Sequence, residues 1–342
     1  MRKLSLSLIA MVAATASAPV QAQSVADFYK SKPLSVIVGS SPSGGYDTYA
    51  RMLAQFMKKH IPGNPTTIVR NMPGAGSKRS LNYLYNISPR DGSEIGAFFS
   101  QAAMEPILLG NAATGAKFDP LKFSWIGSID QFTPIGIAWH TSGVKTIDDI
   151  KSKPLIIGTS GGGLTDSIYS RLLNGMIGTK FVQISGYKGS TETAMAMERG
   201  EVPGYVGWYW AGMKRTKPHW IEKKLVTVFM QFGIDKNPEI PDVPWIFDAL
   251  KKPDDKQIFR LILSNLALAR PYAGPPGIPA DRLAALRTAF DATMKDKEFI
   301  AAIAKSGNNV KPYSGRQIDV LLAEVSKTPP ELIKRVQQAV KE

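Results

Sequence analysis

The chain has 342 residues, with 42 Lys and Arg against 28 Asp and Glu, a formal net charge of +14, and no cysteine. Disulfides, thiol chemistry, thiolate metal sites and a lipidated N-terminal Cys are therefore excluded, and a packed core has to hold the fold. The basic residues are scattered, with no run beyond pairs such as Lys251-Lys252. That excludes the dense, aromatic-laced basic stripe of a nucleic-acid binder and leaves a solvated cationic surface that attracts anions.

Arg2 and Lys3 open the chain, Leu4 to Ala16 is mostly apolar, and Ser17 to Ala22 turns small and polar. This order predicts a secretory signal over residues 1–22, cut after Ala22, with a cut after Ala18 as the neighbouring alternative. Its apolar part is shorter than the ~18 residues of a membrane span, and no later stretch is long enough either. The mature chain, of about 320 residues, is expected in the periplasm and is large enough for two domains.

From residue 34 onward, strand and helix patterns alternate. Leu34 to Gly39 is a continuous apolar run, as in a strand covered on both faces. After the loop Ser40 to Tyr46, apolar residues recur at Tyr49, Met52, Leu53, Phe56 and Met57 with helical spacing, until Pro62, Gly63 and Pro65 end it. Thr66 to Val69 reads as a strand, Gly74 to Gly76 opens a helix carrying Leu81, Leu84 and Tyr85, and Asp91-Gly92 turns into the strand Glu94 to Phe99.

The pattern repeats with the strand Leu155 to Thr159, three glycines, and a helix with Ile168, Tyr169 and Leu172 on one face. Leu225 to Phe232 is a further strand. Alternation of this kind predicts an α/β fold with mostly parallel sheets. The chain is expected to cross between lobes near Pro134 to His140 and to return near Leu266 to Pro271. Residues 23–137 and 267–342 then form the first lobe, and residues 138–266 an inserted second one.

Ser41, Ser43, Gly44, Gly45, Tyr46 and Asp47 follow a buried strand and open a helix. Ligands collect at the carboxyl ends of strands in open α/β sheets, and the free amides of a helix start favour an anion. The hydroxyls of Ser41 and Ser43 add donors, and Asp47 reads as the N-cap. The second half supplies a matching loop, Ser160, Gly161, Gly162, Gly163 and Thr165. Neither loop is a P-loop, and either alone can be an ordinary turn; as a pair they suit a clamp for a small carboxylate.

Gly158-Thr159-Ser160-Gly161-Gly162 also fits the nucleophile-elbow pattern, which raises a periplasmic serine hydrolase using Ser160 as an alternative. Such an enzyme needs a later His, and only His219 follows, in a basic loop. Three scattered histidines and no cysteine give no metal-ligand spacing, and no cofactor is called for. Two further clusters carry candidates. Lys188, beside Tyr187, either pairs with a ligand carboxylate or is a surface lysine. In Tyr205 to Trp210, Trp208 and Trp210 are expected on one strand face and Tyr209 on the other, as core or as pocket lining.

Taken in order, these segments resemble the solute-binding proteins of tripartite tricarboxylate transporters, the Bug family. The motifs are Pro42-Ser43-Gly44-Gly45-Tyr46-Asp47 with Ala50-Arg51, Asn71-Met72-Pro73-Gly74-Ala75-Gly76, Asp91-Gly92 and Gly158 to Gly163. They continue through Gly186-Tyr187-Lys188-Gly189-Ser190, Arg199-Gly200-Glu201-Val202, Pro241-Asp242-Val243-Pro244 and Pro275-Pro276-Gly277-Ile278-Pro279. Ser77-Lys78-Arg79-Ser80, Pro203-Gly204-Tyr205 and Trp245 depart from the family pattern and mark a divergent branch.

The resemblance implies a type II periplasmic binding protein, with two α/β lobes around a ligand cleft and two crossover strands. It implies that a carboxylate is held between the two loops, near Tyr187 and Lys188, by a monomeric receptor serving membrane transport subunits. A receptor docking on a sensor kinase is the alternative with the same fold.

Overall fold

The computed structural model describes residues 23–110, 114–159, 165–187 and 189–341. The expected secretory segment lies outside the described residues, as do Ser160, Gly161, Gly162, Gly163 and Lys188. No helix among the described residues is long and apolar enough to cross a membrane.

Two sheets organise the chain. The first has six strands: β1 (Leu34–Val38), β2 (Thr67–Asn71), β3 (Glu94–Ala97), β4 (Ser124–Ser128), β10 (Pro271–Gly274) and β11 (Tyr313–Ser314), in the order β11-β4-β10-β3-β1-β2. The second holds β5 (Pro134–Trp139), β6 (Leu155–Thr159), β7 (Phe181–Ser185), β8 (Gly204–Tyr209) and β9 (Val226–Gln231), in the order β7-β6-β8-β5-β9. Strand β1 is apolar and buried except at Ser35, because both of its edges are paired, with β2 and β3, and both of its faces are covered.

The sheets are mixed rather than mostly parallel. Pairs inside the strand–helix–strand units are parallel: β1 with β2 and β3, and β6 with β7 and β8. Strand β10 runs antiparallel to β3 and β4, and β5 runs antiparallel to β8 and β9. These two begin just after the chain has passed between sheets, so no helical crossover sets their direction. The segment expected to cross, Pro134 to His140, is mostly β5 itself, and residues 129–133 make the outward passage. They run beside the returning segment, with the Ile129 amide donating to the Arg270 carbonyl (3.0 Å) and the Phe132 amide to the Leu266 carbonyl (2.9 Å).

Between the sheets lies the helix Pro253–Ala267, which packs against Gly315–Val325, Pro330–Lys341 and Ser100–Leu109. Its buried Ile258, Phe259 and Leu263 belong to one apolar cluster that continues from Trp125 and Phe98 of the first sheet side to Leu155 and Phe229 of the second. The helix Gly45–Met57 buries Tyr49, Leu53 and Met57 at four-residue steps against β1 and β2. The helix expected to open at Gly74 to Gly76 begins later, at Lys78. Ala75–Ser77 form a single 3-10 turn with Gly76 at φ 60°, a left-handed conformation that glycine adopts without steric cost.

Candidate functional site

The first loop is built from beneath. Asp47 is not the N-cap; it is the third residue of the helix Gly45–Met57, whose N-cap is Gly44 and carries no side-chain cap. Its carboxylate is 2% exposed and accepts from the Ser43 amide (2.9 Å), Arg51 Nε (2.9 Å) and Asn71 Nδ2 (2.8 Å). Asn71 Nδ2 also donates to the Ser40 carbonyl (3.0 Å), so the end of β2 ties down both ends of the turn. Burial opposes ionisation of Asp47, but the hydrogen bonds from Arg51, Asn71 and Ser43 outweigh it and hold its pKa below the ordinary carboxylate range. Ser43 sits at φ 65°, a left-handed turn that this clip stabilises. Asp47 is thus committed to the protein, and the exposed face of the loop is Ser41, Ser43, Gly44 and Gly45.

A second tie joins the loops after β1 and β3. Ser77 is fully buried; its hydroxyl donates to the Gly39 carbonyl (3.0 Å) and accepts from the Phe99 amide (3.1 Å). A Cβ on Gly39 would stand 2.5 Å from Ser80 Oγ, so only glycine lets the strand end come this close. Two helix starts, at Gly45 and at Ser100, are therefore fixed side by side at the carboxyl edge of the first sheet.

Beside them, at the junction of the two sheets, is a cavity of about 290 Å³. The first-sheet side contributes Tyr46, Phe99, Ser100 and Gln101, and the passage between sheets contributes Phe132 and Arg270. Tyr209, at the end of β8, comes from the second sheet, and Asn265 and Leu266 close the remaining side. Aromatic pairs form two of its walls: Tyr46 with Phe99 (centroids 4.7 Å apart) and Phe132 stacked on Tyr209 (4.5 Å, 11° between planes). Among the described residues, no carboxylate lines the cavity. Chemically, an arginine, neutral donors and flat apolar walls suit an anion with an apolar body.

The predicted residues divide. Tyr46 lines the cavity, and Gly45 adjoins it, a Cβ there falling 3.2 Å from Arg270 Nη2. Ser41, Ser43 and Gly44 lie on the loop itself. Trp208 does not reach the cavity: it is 6% exposed and packs edge-on against Trp220 (5.7 Å) inside the second sheet's apolar cluster. The alternation expected for this segment breaks at its end, because the strand stops at Tyr209 and Trp210 starts the helix Trp210–Thr216. Tyr209, on the opposite face from Trp208, is the cavity residue.

Tyr187 is half-buried over Gly158, where a Cβ would lie 3.0 Å from its ring, and does not line the cavity. Its amide donates to the Thr159 carbonyl (3.3 Å), which brings the turn after β7 beside the end of β6. Thr165 begins the helix Thr165–Ile177, and the rest of that loop lies outside the described residues. His219, required by the hydrolase alternative, sits 3.8 Å from Glu198 at the surface.

Arg270, Phe132, Phe99 and Asn265 were not identified from sequence. Arg270 had one signal: it is a lone cation ending the apolar run Leu266 to Ala269, immediately before Pro271. Phe132 and Asn265 carried none, since their approach to Tyr46 is made by chain segments far apart in sequence.

No protein-family profile matches this chain. Two curated relatives do: a UPF0065 protein of Agrobacterium vitis, 28% identical over 170 residues, and a UPF0065 protein of Cupriavidus necator, 28% identical over 230 residues. The first match spans 48% of this chain and 47% of the relative, about half its length; the second spans 64% and 68%. Among solved structures, a TctC solute-binding protein from Polaromonas shares the fold at a TM-score of 0.70 and 17% identity, covering 90% of this chain and 99% of that one. The periplasmic binding protein BugD matches at 0.50 and 18% identity, covering 90% and 97%. A Rhodopseudomonas palustris protein solved with adipate matches at 0.52 and 18% identity, covering 91% and 97%.

The architecture is that of a type II periplasmic binding protein, shared with TctC and BugD. In sequence the chain is similar to two UPF0065 proteins, and in fold it is similar to TctC and BugD.

Proposed function

We propose that this protein is a periplasmic receptor that captures a small carboxylate between its two sheets and delivers it to the membrane subunits of a tripartite tricarboxylate-type transporter. The observation that carries the reading is the cavity at the junction, where Arg270 and the helix starts at Gly45 and Ser100 converge and no carboxylate among the described residues lines the wall. A helix start offers unpaired amides to an anion, and a cation beside it adds attraction that a low-dielectric wall strengthens. Fold neighbours were solved with malate and with adipate, so this architecture accommodates carboxylates elsewhere.

The first sheet and the second sheet, each with the helices packed on it, act as the two lobes of a monomer. The boundary lies at residues 129–133 rather than at 137, since β5 belongs whole to the second sheet, and the paired segments at Ile129 and Arg270 are the hinge. A ligand touching Tyr46 on one side and Tyr209 on the other stabilises the closed arrangement by its differential contacts. The loop Ser160 to Gly163, with Thr165 and Lys188, closes on the carboxylate from the second lobe. Export by the segment 1–22 places the receptor in the periplasm.

The test is calorimetric titration of the mature chain with a panel of mono- and dicarboxylates, paired with thermal melts. At least one should bind saturably at one site per chain, and at a hundredfold excess over Kd it should stabilise the fold by about 2.7 kcal/mol. A folded protein that gives neither heat nor thermal shift with any of them would falsify the reading.

A further inference from the structure

Arg270 occupies an unusual position for a cation. Its guanidinium carbon lies 4.5 Å from the ring centre of Tyr46, 5.0 Å from that of Tyr49 and 5.4 Å from that of Phe132. One terminal nitrogen, Nη1, donates to the adjacent Ala269 carbonyl (2.8 Å). Nε is buried with no hydrogen-bond partner, and no carboxylate pairs with the group among the described residues. Nη2 is turned toward Gly45, whose missing side chain keeps that approach open. The acid nearest in electrostatic effect, Asp130, is shared with Lys311 and does not bond to the guanidinium. A guanidinium taken partly out of water has lost hydration that a carboxylate restores through a charge-assisted hydrogen bond from Nη2.

The walls say what is attached to that carboxylate. The guanidinium contacts one ring of each aromatic pair, Tyr46 of the first and Phe132 of the second. A group bound to Arg270 therefore extends between flat apolar surfaces, which suit a ring more than a flexible chain. The volume, about 290 Å³, lies at the small end of ligand sites and fits a single ring.

The remaining polar lining is neutral. Apart from Arg270, the lining residues that are described carry no cation. A second carboxylate would therefore be desolvated there without a charged partner, which favours an apolar far end.

We propose that the captured ligand is an aromatic monocarboxylate, its carboxylate paired with Arg270 and its ring held between the Tyr46–Phe99 and Phe132–Tyr209 pairs. This rests on the receptor reading above and narrows it to a ligand class.

The experiment is calorimetry of the mature wild type, Arg270→Gln and Tyr209→Ala with benzoate, adipate and benzamide, with a melting curve for each protein. Wild type should bind benzoate about tenfold or more tighter than adipate and should not bind the uncharged benzamide measurably. Arg270→Gln should lose about 30-fold or more in benzoate affinity while remaining folded. Adipate binding as tightly as benzoate, or an Arg270→Gln affinity for benzoate within about threefold of wild type, overturns the proposal and leaves the receptor reading standing. If no carboxylate binds the folded wild type, both fall together. Should Arg270→Gln fail to fold, Tyr209→Ala decides: a loss for benzoate well beyond that for adipate supports the ring contact, and equal losses sink it.

Discussion

A buried carboxylate is tolerated where donors replace the water it gives up, and Asp47 has three of them, from Ser43, Arg51 and Asn71. Replacing it by Ala leaves the Asn71 amide and the Ser43 amide without that acceptor and releases the turn at φ 65°. Asp47→Ala should therefore cost about 1–3 kcal/mol in a denaturant melt, and should weaken carboxylate binding although Asp47 touches no ligand. Its pKa is depressed in the fold, so the stability it adds is present above the ordinary range of about 4 and is lost as the pH falls below it. A mutant whose stability and affinity match the wild type would remove Asp47 from this role.

The same residue shows what sequence can and cannot convey. Ser/Thr/Asp before a helical run signals a helix start, and the start is there. Which atom the carboxylate binds depended on Asn71, a strand and a turn away.

At the level of elements, apolar runs and helical spacing located β1, β6 and the helices that follow them, because burial on both faces imposes composition directly. Pairing direction did not follow from those runs. Strands β5 and β10 are antiparallel because they start where the chain changes sheets, and no local pattern records that event.

Strand β8 gives a test at this scale. Gly207 sits at φ +102°, and a Cβ on it would stand 3.3 Å from the Asp166 Cα, so glycine lets the helix Thr165–Ile177 start against this strand. Gly207→Ala combines a strained backbone with a tight contact and should destabilise by about 1–2 kcal/mol. Since Tyr209 follows two residues later, ligand affinity should fall as well. Unchanged melting and unchanged calorimetry together would show that the helix start has room to move.

Across the whole molecule, the passage between sheets is where charge meets low dielectric. Asp130 is buried beside the crossing, near Arg270 and Lys311. Burial pushes its pKa up to about 6, against the downward pull of the Gln131 amide, Arg270 and Lys311. A carboxyl whose folded pKa exceeds its unfolded value of about 4 binds more protons in the fold, so its stabilising contribution is complete below that value. The contribution is then lost as the pH rises through about 6. The difference in melting temperature, Asp130→Asn minus wild type, should increase between pH 4 and pH 7 and stay flat at higher pH. A difference that is level throughout would mean that Asp130 titrates normally and that the crossing carries no such cost.

Strands β1, β2, β3, β6 and β9, the helices after β1 and β6, and the glycine-rich loop at Ser41 to Asp47 were determined by the sequence alone, along with the resemblance to a receptor family, because each depends on residues adjacent in the chain. The tertiary structure decided that the cavity belongs to Tyr46, Phe132, Tyr209 and Arg270. It put Trp208 in the core and Tyr209 at the cavity, and it turned Asp47 inward. These outcomes depend on where two sheets and the segments joining them bring distant side chains together, and that geometry is set by packing, which local pattern does not record.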